Sequence, residues 1–331
     1  MSRSTRWLVA CLLLAWPCSA SAQPPAAPET TPAPLPDNVQ IDKDINYAGT
    51  KNPRQTLDLL RPKEPRGGKP LPVVVIIHGG AFRAGDKSMG LGEAGALASS
   101  GDYAAATINY RLSGETIWPA QIHDCKAAIR WIRANATQYG LDPDRIGVTG
   151  TSAGGHLAAM LGTSGGVAAL EGNIGPHTGI SSKVKCVVDQ FGPSDLLAMA
   201  DYPSRIDHDA PDSPESLLIG GPVPDNKEKA RAASPITYVS ADDPPFLILH
   251  GTQDPLVPIN QSERLAEALR GAGVPCIFVK VVRGEHGHFR RPGVGQRIRQ
   301  FLDKHLRDQA VEISDAPLLP SDTQTKAKAK R

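Results

Sequence analysis

The sequence predicts an α/β protein, in which a mostly parallel sheet carries helices on both faces. Residues 73–77 read Val-Val-Val-Ile-Ile, a continuous β-branched run that is typical of a strand buried on both faces. Residues 121–139 repeat apolar side chains at helical spacing, and strand-like and helical segments alternate along the chain. Such alternation favours a parallel sheet, with functional groups in the loops at the carboxyl ends of the strands.

The individual elements are predicted from the same patterns, within one domain that we assign to residues 39–312. Strands are predicted at residues 57–60, 73–77, 104–110, 145–149, 184–191, 246–250 and 277–282. Helices are predicted at 121–139, 152–161, 262–270 and 295–306. Two segments rich in Gly, Pro, Ser and Asp, 164–182 and 201–243, interrupt the alternation, and we expect them to form the rim of a site.

The composition fits a globular protein and argues against some function classes. The 331 residues hold 36 Lys and Arg against 34 Asp and Glu, a net charge of +2, which is too balanced for a broad nucleic-acid surface. With 40% hydrophobic and 21% charged residues, the chain can bury a sizeable core. Outside the N-terminal segment, the widely spaced cysteines match neither a disulfide framework nor a zinc site, and we expect buried thiols at Cys125, Cys186 and Cys276.

The two ends of the chain carry different signals. Residues 1–22 resemble a signal peptide, because two arginines precede an apolar run at 7–16 and Ala-Ser-Ala closes the segment. An uncleaved membrane anchor is the alternative, disfavoured by the short apolar run. Residues 23–38 predict a Pro/Ala-rich linker, and residues 313–331 predict a disordered basic tail. We therefore expect a secreted or periplasmic protein without stable membrane insertion after cleavage.

A serine lies at a predicted strand-to-helix turn, in Gly150-Thr151-Ser152-Ala153-Gly154. The pattern Gly-x-Ser-x-Gly in this context is typical of a nucleophile, because small flanking residues let the strand and the helix cross closely. The helix N-terminus then faces any anion that forms at the serine. The alternative is a tight turn in which Ser152 only caps the helix.

A glycine-containing loop, His78-Gly79-Gly80-Ala81-Phe82, directly follows the predicted strand at 73–77. Glycines at this point let backbone N–H groups turn toward a ligand, so the loop and the N–H of Ala153 can supply an oxyanion hole. A plain glycine turn is the alternative. We expect His78 to brace the loop rather than to act as a base.

An acid and a base are predicted in the loops after the last two strands. Asp254 follows the strand at 246–250, and His286 follows the strand at 277–282. The imidazole would accept the serine proton, and the carboxylate would orient the imidazole. The order Ser152, Asp254, His286 is the nucleophile, acid and base order of α/β-hydrolases. His288 remains an alternative base, and Asp195 remains an alternative acid that we interpret as a helix cap.

Several separated motifs, taken together, resemble a known family over residues 45–308. The chain resembles the α/β-hydrolase esterases related to the hormone-sensitive-lipase group, especially the branch that includes bifunctional feruloyl and acetyl-xylan esterases. The motifs are His78-Gly79-Gly80, Gly85-Asp86-Lys87, Asn109-Tyr110-Arg111-Leu112, the Pro-Ala-Gln-Ile-His-Asp run at 119–124, the Ser152 turn up to His156, the run at 250–258 and the His286 loop.

The resemblance implies an α/β-hydrolase fold with a sheet of about eight strands, and ester hydrolysis without a metal or other cofactor. It implies Ser152 as nucleophile, Asp254 as acid and His286 as base, with the backbone N–H groups of Gly80, Ala81 and Ala153 in the oxyanion hole. One departure is Ala81, where the family usually has glycine; an alanine would be strained there if the position needs a positive φ. Another is the phenylalanine at position 82, where tryptophan is common.

These observations lead to three hypotheses of different kinds. The first is an exported serine carboxylesterase whose substrate is a small-molecule or polysaccharide-linked ester, with short acyl, acetyl or feruloyl groups. The second is an amidase, formamidase or peptidase that uses the same triad. The third is a non-catalytic binding protein with the hydrolase fold. Trp118, Phe191 and Tyr202 are candidates for an aromatic acyl site or for ordinary packing. The oligomeric state is not predicted.

Overall fold

One sheet of eight strands forms the centre of the computed structural model, which describes residues 34–68, 70–287 and 292–320. The strand order is β1-β2-β4-β3-β5-β6-β7-β8. The strands are β1 (Val39–Asn46), β2 (Thr56–Pro62), β3 (Leu71–Ile77), β4 (Ala104–Ile108), β5 (Leu141–Thr151), β6 (Cys186–Gln190), β7 (Phe246–Gly251) and β8 (Cys276–Val281).

The sheet is mostly parallel, as the sequence predicts. β2 is antiparallel to both β1 and β4, and the remaining neighbours pair in parallel. β3 and β5 lie side by side near the middle, and every residue of β3 is buried. The carboxyl ends of β3, β5, β6, β7 and β8 therefore meet along one edge, where the loops predicted to carry the chemistry begin.

Helices cover both faces of the sheet and divide the core in two. Side chains from α1 and α9 pack with one face, and side chains from α2, α4 and α8 pack with the other. The helices are α1 (Leu91–Ser99), α2 (Ala120–Ala134), α3 (Ala136–Tyr139), α4 (Ala153–Thr163), α5 (Ala168–Glu171), α6 (Pro214–Ile219), α7 (Lys227–Ala232), α8 (Asn260–Gly271) and α9 (Pro292–Arg307). No helix among the described residues is both long and apolar enough to cross a bilayer.

Several elements, among them α1, differ from the sequence-based prediction, and three of the differences have a local physical cause. β1 was not predicted, because its residues alternate with charges, a pattern that suits a mostly exposed edge strand. β5 begins four residues before the predicted strand, across Pro143, a residue that normally indicates a turn. The helix predicted at 121–139 is divided at Asn135, whose φ of −99° and ψ of 9° interrupt the helical backbone.

The ordered domain also extends past the predicted boundaries of 39–312. Leu318, in the predicted tail, lies beside β8: its N–H donates to the Lys280 carbonyl at 2.9 Å and its carbonyl accepts from Val282 N at 3.0 Å. Leu35, in the predicted linker, packs against the α1 and α9 side of the core. Within residues 313–320, Leu318 therefore contacts the domain through its backbone and a partly buried side chain. The predicted signal peptide, linker residues 23–33 and tail residues 321–331 lie outside the described residues.

Candidate active site

Ser152 lies on a sharp turn between β5 and α4 with a backbone that side chains rarely adopt, φ 55° and ψ −121°. Its side chain makes no capping hydrogen bond to the helix, so the alternative of a simple cap is wrong. The flanking glycines are needed because the backbones cross closely: a Cβ on Gly154 would lie 2.1 Å from the Ile77 carbonyl oxygen, and one on Gly150 would lie 2.1 Å from the Gly154 carbonyl oxygen. A strained turn that exposes a serine is typical of a nucleophile.

A continuous chain of hydrogen bonds joins Ser152, His286 and Asp254. Ser152 Oγ lies 2.9 Å from His286 Nε2, and His286 Nδ1 lies 2.7 Å from Asp254 Oδ2. The structure thus brings together the three residues that the sequence suggests as nucleophile, base and acid. A carboxylate at Nδ1 holds the imidazole with its hydrogen on that atom, which leaves Nε2 free to accept the serine proton.

The Asp254 carboxylate is buried but well supplied with donors. Leu256 N and Val257 N each donate to Oδ1 at 2.9 Å, and His250 Nε2 lies 3.3 Å from Oδ2. Burial alone would raise the pKa of Asp254, but the hydrogen bonds from His250 and His286 outweigh it and hold the pKa well below the usual value. The carboxylate is therefore ionised at neutral pH and can stabilise an imidazolium.

The alternative acid lies elsewhere, and the alternative base cannot be placed. Asp195 caps a short 3₁₀ turn by accepting from Leu197 N at 3.2 Å, and its other oxygen pairs with Arg264 at 2.6 Å. This agrees with its interpretation as a cap. His288 lies outside the described residues.

The loop after β3 has three successive residues with positive φ: Gly80 at 112°, Ala81 at 54° and Phe82 at 60°. The condition for strain at Ala81 is therefore met. No described hydrogen bond uses the N–H of Gly80, Ala81 or Ala153 as donor. All three residues line the same cavity as Ser152, where unpaired donors are available to an oxyanion.

His78 braces this loop, as predicted. Its ring stacks on Tyr110 at 4.4 Å, and Nδ1 donates to the Gly79 carbonyl at 2.7 Å. Burial lowers the pKa of His78, so the neutral imidazole makes these contacts.

The cavity over Ser152 has a volume of about 600 Å³ and mostly apolar walls. Of the three aromatic residues considered from the sequence, only Phe191 lines it; Trp118 packs edge-on against His156, and Tyr202 is exposed at the surface. The apolar lining comprises Phe82, Met89, Phe191, Pro193, Ile206, Pro214, Leu256 and Val257. A cavity of this size and character can hold a small or aromatic acyl group.

Comparison with known sequences decides the family. The profile of the BD-FAE family matches residues 57–269, which is more than half of the chain. The chain belongs to the BD-FAE family. A second profile, described as TAP-like protein, matches residues 224–315.

Named relatives and solved structures agree with this membership. Esterase LipQ from Mycobacterium tuberculosis is 33% identical over 248 residues, 74% of this chain, which spans only 56% of that relative's length. A structure titled as a truncated carbohydrate esterase from gut microbiota shares 34% identity, covers 83% of this chain and 99% of its own, and has a TM-score of 0.76. A bifunctional GH43-CE protein from Bacteroides eggerthii shares 38% identity over 80% of this chain and 35% of its own, with a TM-score of 0.73. The resemblance and the α/β-hydrolase fold inferred from the sequence are confirmed.

Two residues of this BD-FAE chain that the sequence does not predict also lie at the site, His208 and Glu215. Both lie in the insert 201–243, both line the cavity, and their side chains meet at 2.9 Å. Their spacing of seven residues does not indicate a site, because only the tertiary fold brings the insert over the serine.

Proposed function

We propose that this chain is a serine carboxylesterase in which Ser152 is the nucleophile, His286 the general base and Asp254 the acid. The observation that carries the proposal is the hydrogen-bond chain from Ser152 Oγ through His286 to Asp254, which opens into a cavity. A binding protein would have no need of an aligned, strained serine beside an imidazole and an ionised carboxylate.

The geometry supports an acyl-enzyme mechanism. His286 Nε2 takes the serine proton as Ser152 Oγ attacks the ester carbonyl, and the N–H groups of Gly80, Ala81 and Ala153 stabilise the oxyanion. The tetrahedral intermediate collapses when the imidazolium returns its proton to the leaving alcohol oxygen, which leaves the acyl group on Ser152. Water, deprotonated by His286, then attacks the acyl-enzyme, and collapse releases the carboxylic acid and restores the serine.

We propose that the substrates are short acyl, acetyl or feruloyl esters of polysaccharides, hydrolysed outside the cytoplasm. Support comes from the similar structure titled as a carbohydrate esterase, from the apolar cavity and from the signal-like residues 1–22. If export is correct, N-terminal sequencing of the exported protein should begin at Gln23. A protein that keeps its first 22 residues would contradict cleavage.

The test compares the purified protein with Ser152→Ala and with Ser99→Ala, a matched control at the end of α1 far from the cavity. The substrates are p-nitrophenyl acetate, butyrate and laurate, methyl ferulate, acetylated xylan and an anilide amide. We expect ester turnover and fluorophosphonate labelling that disappear in Ser152→Ala and persist in Ser99→Ala. Turnover of acetylated xylan or methyl ferulate well above the simple esters would support the polysaccharide substrate. Faster turnover of the anilide would favour an amidase, and a folded protein with neither turnover nor labelling would contradict catalysis.

A further inference from the structure

A buried pair of side chains, one carboxyl group and one imidazole, forms part of the cavity wall. His208 and Glu215 are each only 2% exposed, and His208 Nδ1 lies 2.9 Å from Glu215 Oε2. Glu215 is the one carboxylate among the described residues that line the cavity, whose walls are otherwise mostly apolar. Neither residue belongs to the triad, so the mechanism leaves both without a role.

The contacts of His208 fix the charge of the pair. Nε2 lies 3.1 Å from the Leu256 carbonyl oxygen, which can only accept, so Nε2 carries a hydrogen. Ser204 Oγ, also 3.1 Å from Nε2, donates its own hydrogen to the Leu256 carbonyl and so accepts from the ring as well. One further proton must lie between Nδ1 and Glu215 Oε2, because two acceptors would repel at that distance. Whichever atom holds that proton, the pair has no net charge.

The second carboxyl oxygen of Glu215, Oε1, is left to accept a hydrogen bond from a ligand. Oε1 has no hydrogen-bond partner among the described residues, and it is not among the fully enclosed polar atoms that lack one. Because Glu215 lines the cavity, Oε1 is an acceptor that a bound substrate can reach. An acceptor in an apolar wall loses a hydrogen bond when the ligand offers only carbon, so it selects for a donor.

We propose that Glu215 is a specificity-determining residue that accepts a hydrogen bond from a hydroxyl group of the ester substrate, and that His208 holds it in position. This inference rests on the proposed esterase function. The expected donor is a neutral hydroxyl rather than a cation, because His208 already balances the charge of the carboxyl group. Glu215 adds a polar contact that the triad and the oxyanion hole do not provide.

Two matched substrate pairs test the proposal, since the hydroxyl can lie on either side of the ester bond. Glycerol monoacetate against propyl acetate varies hydroxyls on the alcohol side with the same acyl group. Methyl 4-hydroxycinnamate against methyl cinnamate varies one hydroxyl on the acyl side. The readout is the ratio of kcat/KM within each pair, in which a general loss of activity or stability cancels.

The variants separate hydrogen bonding from structural support. The double variant His208→Phe with Glu215→Leu replaces both polar groups by apolar ones, which avoids leaving either partner buried alone. We expect the preference for the hydroxylated member of one pair to fall about 10- to 100-fold, the usual cost of a buried acceptor that a substrate without a hydroxyl leaves unsatisfied. Glu215→Gln should keep most of the preference, because its amide N–H can donate to a neutral His208 and its oxygen can still accept a hydrogen bond from a ligand.

The outcomes are distinct. A wild-type protein that shows no preference for the hydroxylated member of either pair overturns the proposal, whether or not the variants fold. Equal ratios in the wild type and a folded double variant also overturn it and leave His208 and Glu215 as structural supports. Loss of preference in the double variant but not in Glu215→Gln supports it. No hydrolysis of any ester, p-nitrophenyl acetate included, would instead refute the esterase function itself.

Discussion

Substitution of Gly154 by alanine tests whether the close crossing of β3 and α4 sets the geometry of the site. A Cβ at this position would lie 2.1 Å from the Ile77 carbonyl oxygen and 2.6 Å from that of His78, whereas real Cβ contacts are essentially never under 3.0 Å. The helix or the strand must therefore move by about 0.9 Å. Both contacts are backbone oxygens of β3 and the loop after it, so no side chain can give way.

The size of the effect follows from this displacement. Alanine is the better helix former by about 1 kcal/mol, but overpacking of this kind costs about 1–3 kcal/mol and occasionally more. Because the obstructing atoms belong to the backbone, we expect a cost at the upper end of that range, about 3 kcal/mol, and hence a net loss of about 2 kcal/mol, or a melting temperature lower by about 4 °C. The shift separates Ser152 from the loop of Gly80 and Ala81, and a displacement near 1 Å can reduce activity about 100-fold. The protein should therefore lose more activity than stability.

Gly92→Ala is the matched control, because a Cβ at that position on α1 meets nothing within 4 Å. There the helix propensity acts alone, and we expect a gain of up to about 1 kcal/mol with normal activity. Thermal unfolding and kcat/KM for p-nitrophenyl acetate are measured on all three proteins. Wild-type activity and stability in Gly154→Ala would refute the inference that this contact positions the serine.

Three further substitutions give separate predictions. Ala81→Gly should raise the unfolding free energy by about 0.5–1 kcal/mol, because alanine at φ 54° is strained by more than the extra freedom of glycine in the unfolded chain; a lower melting temperature would contradict this. Asp254→Asn should reduce kcat about 10³- to 10⁴-fold with little change in KM, because an amide does not hold the required imidazole tautomer; Michaelis kinetics that show a loss only in KM would argue against the assigned role. Burial raises the pKa of Asp189 to about 6, so this carboxyl group loses its proton at a lower pH in the unfolded chain than in the folded protein. The free energy of unfolding should therefore fall as the pH rises from about 4 to 6. In Asp189→Asn this loss of about 3 kcal/mol should be absent, and urea unfolding at pH 4, 6 and 8 checks it; parallel curves for the two proteins would show that Asp189 does not titrate.

The parts of the fold that the sequence predicted are those with local physical causes. β3 was recognisable because a strand covered on both faces needs a continuous apolar run. The Ser152 turn was recognisable because the crossing of two backbones admits only glycine at positions 150 and 154. Asp254 and His286 could be chosen because parallel strands bring their following loops to one edge. The structure places these residues within hydrogen-bond distance, and their catalytic roles stay predictions until activity is measured.

The parts that were missed depend on contacts between distant segments. β1 has the polar pattern of an exposed edge and is held by pairing with β2. Leu318 lies in a segment that reads as part of a polar tail, and only its alignment with β8 makes it partly buried. His208 lies in a loop and Glu215 lies at the start of the short helix α6, so nothing local indicates that they line the same cavity as Ser152. Specificity is therefore harder to predict from this sequence than the position of the nucleophile.

Backbone strain is concentrated where the chemistry is proposed. Seven non-glycine residues in the described ranges have positive φ, and four of them line the cavity, namely Ala81, Phe82, Ser152 and Phe191. Each such residue costs about 1–3 kcal/mol unless its surroundings hold it in place. Here neighbouring strands hold two of them, since Ser152 N donates to the Gln190 carbonyl and Phe191 N donates to the Leu249 carbonyl, while the Phe82 side chain is completely buried. The stability of the sheet thus maintains the strained backbone of Ser152 and Phe191 before substrate binds. Of these four residues, only Ala81 could be replaced by glycine without the loss of a large side chain or of the serine hydroxyl. The replacement would relieve the strain, and the N–H of residue 81 would still be available to an oxyanion.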